Sequence, residues 1–232
     1  YNIIDHSLYA DDAVFFSKNN NNSRVKLAFT NLLSDIKHWS KTSGASLSLS
    51  KCKTLHICNK HHCNPPTLIY NNINIENVSQ LKILGIIFDN KFNFSHHCIN
   101  LKKKLTSLLY IIKYLSSKKS SVHTNTLLNV TKALILPKID YGIQIYSHCP
   151  KTYLKMLNSP YHAAIRSAIG AFKTTNITNL LIESGFSSIS ERIYENDFKL
   201  IPKLYISNNQ NLHKLIKNAL NLKRTCKKPS PI

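Results

Sequence analysis

The sequence predicts an α+β protein: a β-hairpin, a helix and several short strands, followed by a mostly α-helical remainder. Two observations carry that expectation. Short β-branched and aromatic runs, broken by Asn-, Pro- and Gly-containing turns, crowd the residues before Ser95. From Ser95 onward the apolar residues instead recur at helical spacing, in segments long enough to be helices. Strands first and helices after is the pattern of segregated elements rather than of alternating β-α units.

The chain opens on Leu8-Tyr9-Ala10-Asp11-Asp12-Ala13-Val14-Phe15-Phe16, two adjacent acids between two apolar runs. That reads as a hairpin with the carboxylates at its tip. Asp is common in turns, so a plain turn accounts for the letters alone. A hard divalent cation accounts for the pairing, because Mg²⁺ prefers oxygen ligands and takes one or two carboxylates together with substrate phosphates. Lys18–Ser23 is a polar loop. Val25, Leu27, Ala28, Phe29, Leu32, Leu33, Ile36 and Trp39 then mark an amphipathic helix ending near Gly44, with Trp39 as its core anchor. Leu47 and Leu49 alternate with serines as in a strand, and Thr54–Cys58 predicts a second strand. Residues 59–72 form a loop, Ile73–Val78 is short and extended, and Leu81–Asp89 is a buried hairpin or bent strand around Gly85. A turn follows at Asn90–Asn93. Helices are expected over Ile99–Leu115, Val122–Leu136 (stopped by Pro137), Lys138–Ser147, Thr152–Ile169, Asn176–Gly185 and Ser190–Ser207. The basic, Pro-containing stretch 222–232 reads as a frayed end.

Bulk composition narrows the partners. With 31 basic and 11 acidic residues among 232, the formal charge is +20, and 43% hydrophobic content suffices for a real core. Abundant Asn, Ile, Lys, Leu and Ser fits AT-rich coding sequence, which supplies lysines but does not explain so few acids. Such a surplus points to a polyanion, nucleic acid first. No run is long and apolar enough for a membrane span. No signal peptide is visible, and the absence of an initiator Met leads us to expect a piece of something longer. The six cysteines are scattered and read as reduced thiols. Cys58, His61, His62 and Cys63, with His96, His97 and Cys98 later, offer zinc-type donors, but they lack the paired Cys-x₂-Cys form and read as ordinary loop residues. The tyrosines at 110, 114, 141 and 146 are expected to pack rather than to stack on bases.

The ordered segments resemble the second half of the reverse transcriptase of non-LTR retrotransposons, the jockey-like group. Tyr9-Ala10-Asp11-Asp12 matches the Tyr-x-Asp-Asp box. The helix ending at Trp39, followed by Gly44-Ala45-Ser46-Leu47-Ser48-Leu49-Ser50-Lys51, resembles the palm helix and the next block. Leu84-Gly85-Ile86-Ile87-Phe88-Asp89 resembles the Leu-Gly block leading into the primer grip, and Phe94-Ser95-His96-His97 the aromatic-x-x-His that opens the thumb. Ile139-Asp140-Tyr141-Gly142 and Arg166-Ser167-Ala168-Ile169-Gly170-Ala171-Phe172 are similar to later blocks. Each box is weak alone; their order and spacing make the resemblance, which spans nearly the whole chain.

The resemblance implies three regions: the C-terminal half of a palm over 1–94, a helical thumb over 95–150, and a helical extension with a basic tail over 151–232. It implies RNA-directed DNA polymerisation by two-metal nucleotidyl transfer, with Mg²⁺ as cofactor and an RNA template and DNA primer as partners. Asp11 would be a metal ligand and Asp12 the supporting acid. Tyr9 and Ala10 would lie near the primer terminus, and Leu84 and Gly85 in the primer grip. Lys51 would assist the departing pyrophosphate, with Lys53 as its competitor. Lys102, Lys103, Lys104 and Lys113, with Lys118 and Lys119, would contact nucleic-acid phosphates; the alternative is the solvated face of an amphipathic helix. An intracellular and, for such elements, nuclear setting follows. The pattern also requires a metal-binding Asp on an earlier strand and nucleotide-holding fingers, neither of which precedes the box here. Asp5, on the same strand as the box, cannot replace that Asp. Negligible polymerase activity is therefore expected from these residues alone. The alternative is a non-catalytic, nucleic-acid-binding remnant of a mobile element.

Overall fold

A computed structural model describes residues 4–58, 64–117, 120 and 122–206. The chain divides into two compact units, Tyr1–His97 and Cys98–Ile232. The mixed composition is as expected: eight short strands fall in the first unit, and the helices beyond α1 belong wholly or mainly to the second.

In the first unit β1 (Ile4–Tyr9) and β2 (Asp12–Ser17) form an antiparallel hairpin, in register from Ile4 opposite Ser17 to Tyr9 opposite Asp12. Helix α1 (Asn22–Ser43) starts where the Asn21 side chain accepts hydrogen bonds from the Ser23 and Arg24 amides, and ends at Gly44 with φ 71°. The left-handed Gly cap is the expected one, while the Asn21 N-cap lies within what reads from the sequence as a polar loop. Yet α1 buries no residue, and Trp39 is 59% exposed rather than a core anchor. Val25, Ala28, Phe29, Leu32, Leu33 and Ile36 are only half-buried, and Leu27 is exposed.

The strand expected around Leu47 and Leu49 is a turn. Lys51 N–H donates to Ser48 O (3.1 Å), Cys52 N–H to Leu49 O (3.1 Å), and the Ser48 and Ser50 hydroxyls lie 3.2 Å apart. Serine side chains offer the backbone local partners that compete with a ladder, and here they win. β3 (Lys53–Leu55) therefore pairs not with that segment but, in parallel, with β6 (Glu76–Val78). Between them β4 (Ile69–Tyr70) and β5 (Ile73–Asn74) close on Asn71 and Asn72, at φ 50° and 63°. Asn tolerates that region better than other non-Gly residues. The apolar run Leu81–Asp89 is a hairpin, β7 (Gln80–Ile83) against β8 (Ile86–Asp89). Past it, Asp89 Oδ1 accepts from the Lys91 (3.1 Å) and Asn93 (3.0 Å) amides and holds the turn. Phe88, Phe92 and Phe94 cluster there, with ring centroids 5.1 to 6.0 Å apart.

Helix α2 (Ser95–Leu115) leads into the second unit, where it buries Cys98, Leu101, Leu105, Leu109 and Ile112. α3 (Thr124–Asp140) runs through Pro137 instead of stopping at it. The hydrogen bond that Pro137 cannot give would have gone to Ala133; both residues are exposed, so water can serve that carbonyl. Ile135 and Ile139 on the opposite side are fully buried, and that packing holds the last turn helical. α4 (Ile143–Tyr146), α5 (Lys151–Ile169), α6 (Ile177–Ser184) and α7 (Ile189–Ile206) follow, with α5 packed on α3 and α6, and α7 on α4 and α3. α7 begins with a reciprocal capping box: Ser188 N–H donates to Glu191 Oε2 (2.7 Å), and Glu191 N–H to Ser188 Oγ (3.2 Å). Among the described residues no helix is long and apolar enough to cross a membrane.

Candidate functional site

The first hairpin places Tyr9, Ala10, Asp11 and Asp12 at one tip. Tyr9 pairs with Asp12, so Ala10 and Asp11 are the two turn residues. Ala10 has φ 50°. Positive φ at the first turn residue suits the twist of a two-residue hairpin, but a Cβ makes it costly, by about 1–2 kcal/mol. All four residues are exposed, with Tyr9 at 66%. None of the ion pairs among the described residues involves Asp11 or Asp12. Two adjacent carboxylates, unpaired with any described base, are a donor set suited to a hard divalent cation. Two carboxylates are fewer than a full coordination shell needs, and among the described residues no group of three or more His, Cys, Asp or Glu is gathered to hold a metal ion.

Lys51 and Lys53 differ in environment. Lys53 Nζ sits 3.4 Å from Glu76 Oε2, across the β3–β6 pair. Lys51 lies exposed on the turn before β3 and takes part in none of the described ion pairs. No described hydrogen bond or ion pair links it to the Asp11–Asp12 tip.

Leu84 and Gly85 form the turn between β7 and β8, with φ 44° and 86°. Two positive φ values are the signature of a type I′ turn, where Asn or Gly is usual at the first position. A half-exposed leucine there is a second strained non-glycine tip. His97, from the neighbouring block, is buried, and its Nδ1 accepts from the Ile87 amide at 3.3 Å, tying the start of α2 to β8.

On α2, Lys103, Lys104 and Lys113 are exposed and Lys102 is half-buried. Lys118 and Lys119 lie outside the described residues, as do His61, His62, Cys63 and the basic end of the chain. Cys58 is disulfide-bonded, so the expectation of six reduced thiols fails at that position. The expectation for the tyrosines holds for Tyr146, which is fully buried with its hydroxyl donating to Ile139 O. It fails for Tyr110, Tyr114 and Tyr141, which are 66%, 75% and 57% exposed. The signal was present for two of them: Tyr110 and Tyr114 fall seven and eleven residues after Lys103, on the polar side of α2.

Asp140 and Arg166, in the later blocks, have internal roles. Asp140 receives the Arg192 guanidinium on both carboxylate oxygens, with Nε donating to Oδ1 at 2.9 Å. Arg166 Nη2 donates to Thr175 O at 3.2 Å and steadies the loop after α5.

Comparison with known proteins gives a low-identity likeness. The chain is 22% identical over 163 residues to the RNA-directed DNA polymerase from mobile element jockey of Drosophila melanogaster, covering 70% of this chain and 18% of that protein. It is 21% identical over 163 residues to the jockey polymerase of Drosophila funebris, with the same coverage. It is also 21% identical over 132 residues to the probable RNA-directed DNA polymerase from transposon X-element of D. melanogaster, covering 57% of this chain and 14% of that protein. The chain thus spans less than a fifth of the length of these relatives. No family model matches it, and no solved structure does.

Proposed function

We propose that this chain is a fragment of a mobile-element reverse transcriptase of the non-LTR, jockey-like type. Residues 1–94 would be the C-terminal half of its palm, 95–150 its thumb, and 151–232 a helical extension. The observation that carries the reading is the strained hairpin tip, which holds two adjacent carboxylates in a chain similar to RNA-directed DNA polymerases. A backbone conformation that costs free energy and presents unpaired acids is better explained by a ligand than by stability.

Asp11 and Asp12 would hold Mg²⁺, which when bound offsets the charge on the attacking 3′-oxygen and the leaving pyrophosphate. Tyr9 and Ala10 would border the primer terminus, where the small Ala10 side chain leaves room. Lys51 would stand ready for the pyrophosphate, as proton donor or as charge. Lys53 is less suited to that role because Glu76 already engages its ammonium. The Leu84–Gly85 turn would grip the primer strand, and Lys102, Lys103, Lys104 and Lys113 would hold the RNA template and DNA primer by their phosphates, independently of sequence. Copying would take place in the nucleus. The described residues gather two carboxylates and a two-metal site needs another from an earlier strand, so polymerase activity would belong to an intact parent and be negligible in these residues alone.

That same shortfall favours the second reading, a non-catalytic remnant that only binds nucleic acid. The genomic sequence upstream of Tyr1 separates the two: an open frame encoding a further Asp-bearing strand supports the polymerase, and stop codons support the remnant. The direct test is Asp11→Ala in the parent enzyme. Mg²⁺-dependent primer extension on an RNA template should fall by about 10²–10³-fold or more; retained activity overturns the assignment.

A further inference from the structure

We propose that the solvent face of α2 is a binding platform for single-stranded nucleic acid, in which Tyr110 and Tyr114 stack on unpaired bases while Lys103, Lys104 and Lys113 hold the phosphates. The inference deepens the nucleic-acid reading given above and rests on it. That reading asks only for phosphate contacts along a duplex, which lysines alone provide.

The platform follows from helical geometry. At 100° per residue, Lys103, Ser107, Tyr110 and Tyr114 fall on one stripe of α2, with Lys104 and Lys113 on its two flanks. Leu101, Leu105, Leu109 and Ile112 are buried on the opposite side, which fixes this stripe toward solvent. Tyr110 and Tyr114 are 66% and 75% exposed, more than their role as helix-surface packing residues would leave open. Two tyrosine rings left this open to water add little burial to the fold. The same helix, Ser95–Leu115, contains no Asp or Glu, so every formal charge on it is positive and no internal acid competes for the lysines. Lys113 Nζ lies 5.9 Å from the Tyr110 ring centroid, which leaves the other ring face for a base and puts a cation beside it.

Charge decides the occupant. A purely apolar partner would leave the flanking lysines facing no anion, and a second copy of the chain, itself at +20, would be repelled. A polynucleotide satisfies both features at once: its phosphates meet the lysines and its bases meet the rings. From Lys103 to Tyr114 the helix advances about 16 Å, the axial length of about five stacked nucleotides at ~3.4 Å each. Stacked base pairs in a duplex keep their faces from the rings, so the tyrosines discriminate for unpaired strands while the lysines do not.

The test uses the full chain with two labelled probes, an unstructured oligouridylate about twelve nucleotides long and a duplex of the same length, titrated across a range of salt. Tyr110→Ser and Tyr114→Ser should each weaken oligouridylate binding roughly tenfold, leave duplex binding within about twofold, and leave the salt dependence unchanged. Tyr110→Phe and Tyr114→Phe should bind as the parent does. Lys103→Ser, Lys104→Ser and Lys113→Ser should weaken both probes, each lowering the salt slope by about one. All five sites are exposed, so the fold is expected to survive, and far-ultraviolet circular dichroism checks it. If the serine variants at the tyrosines bind oligouridylate as the parent does while the lysine variants do not, stacking is overturned and the phosphate reading stands. If neither probe binds and the lysine variants change nothing, the nucleic-acid reading itself falls. If the tyrosine variants alter only self-association, followed by light scattering, the face is an interface between copies and the platform is overturned.

Discussion

Ala10 shows how one residue can connect strain to chemistry. Its φ of 50° places a Cβ in a region that Gly occupies freely. Ala10→Gly should relieve that strain, against a smaller entropic loss from loosening the unfolded chain. The net expectation is a hairpin more stable by up to about 1 kcal/mol, read as slower amide hydrogen exchange in β2. Faster exchange would mean that Ala10 is not strained. The hairpin around Asp11 and Asp12 was legible because apolar residues flank them on both sides; its exact turn was not, since Ala10 and Asp11 turn and Asp12 begins β2. The choice between Lys51 and Lys53 was not: the discriminating partner, Glu76, lies 23 residues after Lys53 and is reached only through a parallel strand pairing. Tyr110 and Tyr114 were misread for a related reason. Tyrosine composition does not say which side of a helix the ring takes; only the phase of the helix against Leu105 and Ile112 does.

At the scale of elements, local signals were read well where the backbone itself required them. Gly44 ends α1, Asn176 and Gly185 bracket α6, and Leu84-Gly85 turns a hairpin. The misses are places where packing or side-chain competition outweighs propensity: α3 continues past Pro137 because Ile139 is buried, and the serines around Leu49 close a turn. α5 supports a prediction of its own. His162 is buried beside the Tyr161 ring, and its pKa is lowered from 6.5 chiefly by burial and further by the Arg166 charge. The unfolded chain therefore binds this proton more readily than the native one, so native stability rises with pH in that window. The contribution is complete above about 6.5 and is lost as the pH falls through the lower native value. Urea unfolding of the helical unit should show the midpoint falling between pH 7 and pH 5, and His162→Gln should flatten the fall; an equal fall in the variant would remove His162 from the account. The Asp140–Arg192 pair lies in the same unit and joins α3 to α7. Its carboxylate also receives the Asn196 amide at 3.4 Å.

Across the whole molecule the buried side chains are unevenly shared. Among the described residues of the first unit few apolar side chains are buried: Leu68, Tyr70, Ile86 and Phe94 are among them, and α1 contributes none. In the second unit α2, α3, α4 and α5 each contribute several, and Leu180, Phe186 and Ile189 close the set. Opening free energy tracks buried apolar contact, so the two units should differ in how readily they expose backbone. Limited trypsin digestion of the full chain should cut first at the exposed bases of α1, among them Arg24, Lys26, Lys37 and Lys41, and leave a protected product beginning near α2. Mass spectrometry of the early products identifies the order. The buried thiols give an independent reading of the same product: Cys98 and Cys149 lie 3.7 Å apart, Sγ to Sγ, at 0% and 5% exposure. Burial pushes both thiols up from their ordinary pKa and raises Cys52 too, but Cys52 is only half-buried, so it should react while Cys98 and Cys149 resist alkylation. Early cleavage within α5, or alkylation of Cys98 as fast as Cys52, would show that the helical unit is not the stable part. The expected result would also fit the exposure of Leu8, Phe16, Leu27 and Trp39 on α1 and the first hairpin, whose apolar side chains are open to a covering partner.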